Sequence, residues 1–239
     1  MIDTEATVSF LLMRKLTNLA LTLTFLLVLT TVYSYSVGDY DQSNIKLIPG
    51  TDKPVIKDCL DLNYVYMYDD YVIYTNKSSE FEGSDIYIFH PLAQTNDPCK
   101  VSYSNAEYTI NAGEFGGANT FSGVYGNLLF MDQWTGRNFK RILAIDMENK
   151  SLVFFDTYVE PSIKDGKLNY FRTLKAKRQS VKDRIPCPQA QEWESQGKQV
   201  LYIEKMSVDL NTMKKEASGE FSCMPTEPIG TAVPSRYGH

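Results

Sequence analysis

From residue 63 onward, hydrophobic positions fall in short runs rich in tyrosine and β-branched residues, separated by clusters of Gly, Asp, Asn and Pro. Runs bounded this way predict β-strands; apolar residues recurring every three or four positions, the helical signature, are nearly absent. The sharpest case is NYVYMYDDYVIYTN (63–76), with five tyrosines within eleven residues around Asp69-Asp70. It predicts a tight hairpin pairing Tyr68 with Tyr71, Tyr66 with Ile73 and Tyr64 with Thr75. Alternation then puts Tyr64, Tyr66, Tyr68, Tyr71 and Ile73 on one face, and Val65, Met67, Val72 and Tyr74 on the other. The second face is the more apolar and is expected to point into the core, leaving the tyrosine face as the outer or inter-sheet one.

The pattern continues with SDIYIFHP (84–91) as a strand stopped by proline, then strands near KVSYS and AEYTI. NAGEFGGANTFSGVYGN (111–127) is read as turns and loop, because glycine weakens regular elements. NLLFMD (127–132), FKRILAID (139–146) and SLVFFDTYV (151–159) predict a three-strand meander, and DGKLNYFRTLKAKR (165–178) a fourth strand after a turn. RIPCPQAQEWESQGK is a loop or one helical turn, and QVLYIEKMSVDL with MKKEASGEFSC forms a hairpin turning at Asn211-Thr212.

About a dozen short strands without helical periodicity mean an antiparallel all-β domain. The units YVIYTN…SDIYIFHP and NLLFMD…RILAIDMENKSLVFF share an order of hydrophobic strand, polar loop, second strand and turn. That order resembles the repeats of periplasmic propellers of the TolB type, although the spacing is irregular and their serine-proline-aspartate-glycine signature is missing. A small propeller-like domain is the expectation; a two-sheet β-sandwich is the alternative, and a barrel the third.

The N-terminus adds an address. MRKLTNLALTLTFLLVLTTVYSYS (13–36) has a basic start at Arg14 and Lys15, an apolar run over 16–32, and Ser34 and Ser36 at −3 and −1 of a cut before Val37. Residues 1–36 read as a signal peptide, with 1–12 an over-long start. A retained membrane anchor is the competing reading. Residues 37–223 form one domain and 224–239 a disordered tail. The net charge of −5 argues against nucleic-acid binding, which needs a basic footprint. Four cysteines behind a leader predict disulfides in an oxidising compartment. Cys59–Cys99 with Cys187–Cys223 is favoured among three connectivities, because each pair brackets one block of strands. Zinc is disfavoured, since no C-x-x-C spacing occurs.

Chemistry changes this picture little. Tyr64, Tyr66, Tyr68 and Tyr71 are the candidate ligand-binding residues, since tyrosine rings stack on sugars, although tyrosine also suits strands and sheet interfaces. Asp39, Asp41 and Asn44 have alternating oxygen ligands but lack the glycine and glutamate of a calcium loop, so no metal is assigned. Asp132, Asp146, Asp156 and Glu114 lie near strand ends and read as turn acids unless two of them converge. His90 and His239 are the only histidines and no G-x-S-x-G elbow exists, so no catalytic residue is assigned and no cofactor is implied. A basic run (172–184) marks Arg172, Lys175, Lys177 and Arg178 as a patch for an anionic partner. Asn76 and Asn149 begin glycosylation sequons. These features predict a secreted or periplasmic binding protein without catalytic machinery, its partner a protein or cell-envelope glycan. The alternatives are a glycan-active hydrolase using loop carboxylates, or a membrane-anchored structural surface protein.

Overall fold

The computed structural model describes residues 46–59, 63–79, 82–90, 97–134, 140–174 and 185–226. The expected leader (1–36), Lys175, Lys177, Arg178 and the tail beyond Thr226 lie outside the described residues. Among those described, thirteen strands form three antiparallel meanders and no helix is long and apolar enough to cross a membrane. The first sheet runs in the order β1 (Val55–Asp58), β2 (Tyr64–Met67), β3 (Val72–Lys77), β4 (Ser84–Phe89) and β5 (Tyr108–Ile110). The second comprises β6 (Ala118–Tyr125), β7 (Leu128–Trp134), β8 (Lys140–Asp146) and β9 (Ser151–Thr157). The third comprises β10 (Val159–Lys164), β11 (Lys167–Leu174), β12 (Val200–Asp209) and β13 (Lys215–Pro225). A short helix, α1 (Ala190–Ser195), packs on β12 and β13.

The tyrosine hairpin takes the expected register: Tyr64 opposite Thr75, Tyr66 opposite Ile73, and Tyr68 N–H donating to Tyr71 O at 2.8 Å. Its tyrosine face is the inter-sheet one. Tyr66 and Ile73 are buried there, and the Tyr66 ring lies 4.5 Å from that of Phe121 on β6. The opposite face also covers a core, a smaller one. Val65, Tyr74 and Phe89 pack under the 97–106 segment, which the Cys59–Cys99 disulfide ties down.

The second sheet is buried on both faces. Leu129, Met131, Leu143 and Ile145 share the Phe121 side, facing the first sheet. Leu128, Phe130, Ile142, Ala144 and Phe154 join Leu168, Tyr170, Met206 and Val208 of the third sheet in the largest core cluster described. Each fully buried apolar side chain of this size contributes roughly 1.5–3 kcal/mol, so this layer is the main source of stability.

Four expectations change. KVSYS forms no strand; Pro98–Lys100 and Tyr103–Asn105 are single 3-10 turns, because Asp97 caps Cys99 N–H and Tyr103 stacks on Tyr87 at 4.4 Å instead of pairing. The glycine-rich stretch contains β6, bulged before Gly123, whose φ of 128° suits glycine. β11 does not extend the central meander. It belongs to the third sheet beside β10, which holds Pro161 on a sheet edge, where a missing N–H costs nothing. Finally β13 continues past Cys223, with Met224 and Pro225 opposite Leu201 and Val200.

An N-terminal clasp joins two sheets. Ile48 and Asp52 N–H groups donate to Ser122 and Val124 O on β6, at 2.9 and 2.7 Å, and Pro49 O accepts from Ile163 N on β10 at 2.7 Å. Gly50 turns the chain between them at φ 90°.

Candidate functional site

Strand rows decide which polar side chains meet. Asp132 is opposite Ile142, and Ile142 opposite Asp156, so both carboxylates share one row and one face of the second sheet. Two strand spacings put their backbones about 9.5 Å apart. The third sheet faces this row with Tyr170 and Met206, one row short of Arg172, Glu204 and Phe221. Tyr170 Oη donates to Asp156 Oδ2 at 2.7 Å, and Thr157 Oγ1 donates to Thr173 O at 3.5 Å, fixing the two sheets against each other.

The cluster is balanced in charge. Lys140 Nζ is 3.7 Å from Asp132 Oδ2, Lys215 pairs with Asp156, and Arg172 pairs with Glu204. Burial holds the Tyr158 and Tyr170 hydroxyls protonated far above the usual tyrosine range, and hydrogen bonds to Asp132 and Asp156 reinforce this. Each carboxylate therefore meets a cation and, for the two aspartates, a neutral phenol donor. Arg172 is engaged inside the fold through Glu204; its Nε has no hydrogen-bond partner among the described residues.

Asp146 does not converge with them. It ends β8 at the far end of the sheet, where Oδ1 accepts from the Glu148 and Asn149 N–H groups at 3.0 Å each. The Asn149 N–H, foremost among these contacts, holds its carboxyl below the usual range. Glu114 caps its own turn by accepting from Asn111 N–H at 3.1 Å.

The four tyrosines divide. Tyr66 is 4% exposed and belongs to the inter-sheet core, while Tyr64 and Tyr68 are half-buried beside it. Burial raises the Tyr66 and Tyr68 hydroxyls well above their ordinary range. Tyr71, across the hairpin tip from Tyr68, stacks on His90 at 5.3 Å; His90 Nε2 lies 3.3 Å from Glu107 Oε2.

Comparison with known protein families yields no matching model, and no curated protein matches the chain.

The most exposed rings lie elsewhere. Besides Phe155, 59% exposed on β9, Trp134, 45% exposed, ends β7 with Lys140 Nζ 4.3 Å from its ring centroid, and Phe221 is 52% exposed on β13. Sequence reasoning passed over both, since one aromatic residue at a strand end carries no periodic signal; the exposed position of Trp134 next to a turn was the only clue. A 320 Å³ hollow lined by Glu82, Gly113, Gly116, Gly117 and Ala118 lies where a glycine turn meets β6. Its floor is braced by the buried Asn119 and Gln133 amides, which hold Glu114 O at 2.9 and 3.1 Å.

Two disulfides, Cys59–Cys99 and Cys187–Cys223, close the predicted pairs, and no described cysteine is free. They point to an oxidising, extracytoplasmic location.

Proposed function

We propose that the chain is a secreted or periplasmic binding protein whose three meanders stack like blades of a small propeller, presenting strand-end rims to a protein or cell-envelope glycan. One observation carries the reading. The carboxylates that the strand rows bring together are already engaged: Asp132 by Lys140 and Tyr158, and Asp156 by Lys215 and Tyr170. Such a set stiffens the join between sheets and offers no unengaged acid–base pair. The disulfides support export, and the clasp supports blade-like packing, because it draws together β6 and β10, the first strands of adjacent meanders.

The test is capture of partners from cell-envelope extract by the oxidised protein, run beside a glycan array. Retention of a defined protein or glycan is expected; retention of neither would remove the reading. A glycan hydrolase is the second reading, favoured by the shared row of Asp132 and Asp156. It requires that Asp132→Asn and Asp156→Asn each abolish polysaccharide cleavage while leaving binding intact.

A further inference from the structure

We propose that the free edge of β9 is a self-association site, where two copies of this chain pair their β9 strands antiparallel about a two-fold axis at Phe155. Self-association of this kind adds to the binding reading above and does not depend on it. β9 is the outer strand of the second sheet and pairs only with β8. Three of its side chains, Leu152, Val153 and Phe155, are large, apolar and exposed, and Phe155 is the most exposed aromatic residue described. Sheets blunt their free edges with proline, charge, shortness or a covering segment, because an open row of N–H and C=O groups recruits other strands. Among the described strands, each other edge has such a device. The 46–52 segment covers β6, Pro161 interrupts β10, β5 has three residues, and β13 carries Lys215, Glu216 and Glu220. β1 has four residues and runs into the Cys59–Cys99 bridge. β9 has only a bulge, at Val153, which leaves residues 154–157 in regular register.

The occupant that this edge fits is a second copy of itself. Tyr158 N–H donates to Lys140 O, so alternation turns the backbone groups of Phe154 and Asp156 toward β8 and those of Phe155 away from it. Two Phe155 residues set opposite each other then exchange both N–H···O bonds, the closely bonded pair of an antiparallel ladder, with Cα atoms about 5.5 Å apart. The two ends of the strand are complementary in charge. Lys150 precedes β9 and Glu160 follows it; both are exposed, and neither forms an ion pair among the described residues. Lys150 Nζ donates instead to the backbone oxygen of Glu107, at 3.0 Å. Antiparallel pairing brings each lysine toward the other copy's glutamate, whereas parallel pairing would set like charges side by side. Association closes at two, since the pair consumes the one unguarded edge of each copy. Three apolar side chains per copy are too few for the roughly 2,000 Å² or more of an obligate dimer, so the dimer is reversible and micromolar rather than nanomolar.

Sedimentation equilibrium of the oxidised protein, loaded from about 1 μM to about 1 mM, should show a reversible monomer–dimer equilibrium and no larger species. Phe155→Lys sets two ammonium groups opposite each other at the axis and should weaken the dimer at least tenfold, about the effect of losing a central interface ring. The monomer should keep the parent melting temperature, because the ring it loses is exposed. Lys150→Glu and Glu160→Lys should each weaken the dimer by about two- to fivefold, and the double exchange should restore it. Covalent trapping tests the register without relying on affinity. A Cα separation of about 5.5 Å suits a disulfide, so Phe155→Cys should crosslink to its own copy on mild oxidation, and faster than Phe221→Cys on β13. Self-pairing is overturned if the protein stays monomeric at about 1 mM, or if a dimer forms that Phe155→Lys leaves intact. Crosslinking of Phe155→Cys no faster than that of Phe221→Cys would overturn it as well. A monomer that captures another protein, and loses it in Phe155→Lys, would make the edge a seat for a foreign strand and overturn self-pairing too.

Discussion

Replacing Gly50 with alanine tests whether the N-terminal clasp stabilises the packing of the second sheet against the third. Gly50 has φ 90°, and a Cβ added there would lie 1.9 Å from the Ile163 carbonyl oxygen, a backbone atom that cannot swing aside. The left-handed conformation alone costs a non-glycine residue about 1–2 kcal/mol. The clash cannot be relieved in place, so the clasp must move, losing the Ile163 N–H to Pro49 O hydrogen bond, worth about 1 kcal/mol. Partial exposure of Ile48, 4% exposed and part of the main core, adds roughly 1–2 kcal/mol. The total is about 4 kcal/mol, and at about 2–4 °C per kcal/mol for a domain of this size the melting temperature should fall by about 8–16 °C. The control is Gly126→Ala. Gly126 has φ 58° but nothing within 4 Å of an added Cβ, so only the conformational cost of about 1–2 kcal/mol applies. Thermal and urea unfolding of the two oxidised variants, followed by circular dichroism, separates steric displacement from backbone preference. If Gly50→Ala melts within about 3 °C of Gly126→Ala, close to the effect of 1 kcal/mol, the clasp does not hold the sheets together.

Tyr66→Ala should cost about 3–5 kcal/mol by leaving a cavity against Phe121, while Tyr71→Ala at the hairpin tip should cost less than about 1 kcal/mol; equal losses in urea unfolding would contradict the assignment of faces. Changing Cys187 and Cys223 together to alanine opens a loop with a sequence separation of 36 and should remove about 4 kcal/mol of stability, seen as a lower unfolding midpoint with mass mapping confirming the remaining bridge. Asp146→Ala has a pH signature. The folded carboxyl lies below its ordinary 3.8, so its stabilisation is present above that value and is lost as the pH falls below it. The melting gap between parent and variant should therefore be open at pH 7 and narrow as the pH falls below 3.8; a gap that does not narrow in acid would mean that Asp146 does not act through its charge.

Strand existence and local pairing were legible where side-chain alternation and turn residues agreed. The Asp69-Asp70 hairpin, the β7–β9 meander and the β12–β13 hairpin all follow from that agreement, and so does the disulfide pairing, because each bridge closes a local block. What escaped was set by tertiary contact. Composition counts glycines as breakers, yet β6 tolerates Gly123 because a bulge needs its positive φ. Pro161 sits within β10 because β10 is an edge strand and the N–H it lacks faces no partner strand. KVSYS has strand composition, and it lies over the first sheet because Cys99 is tied to Cys59 and Tyr103 has a ring to stack on.

The candidate site shows the same division at the level of chemistry. A single sequence cannot reveal that Asp132 and Asp156 share a row, since that depends on the register of three strands. Once the register is known, so is what the row can do. Each acid meets a cation and a phenol held protonated by burial, and these groups face inward, where they stiffen the join between sheets. The sheets stay in contact past this row, at Thr157 and Thr173, and Glu204 beside Arg172 remains buried, while Trp134 at the end of β7 is 45% exposed. Position relative to the sheet interfaces, not residue type, therefore decides exposure, which is why four tyrosines in one run are mostly engaged in the fold while Trp134 at a strand end is left exposed.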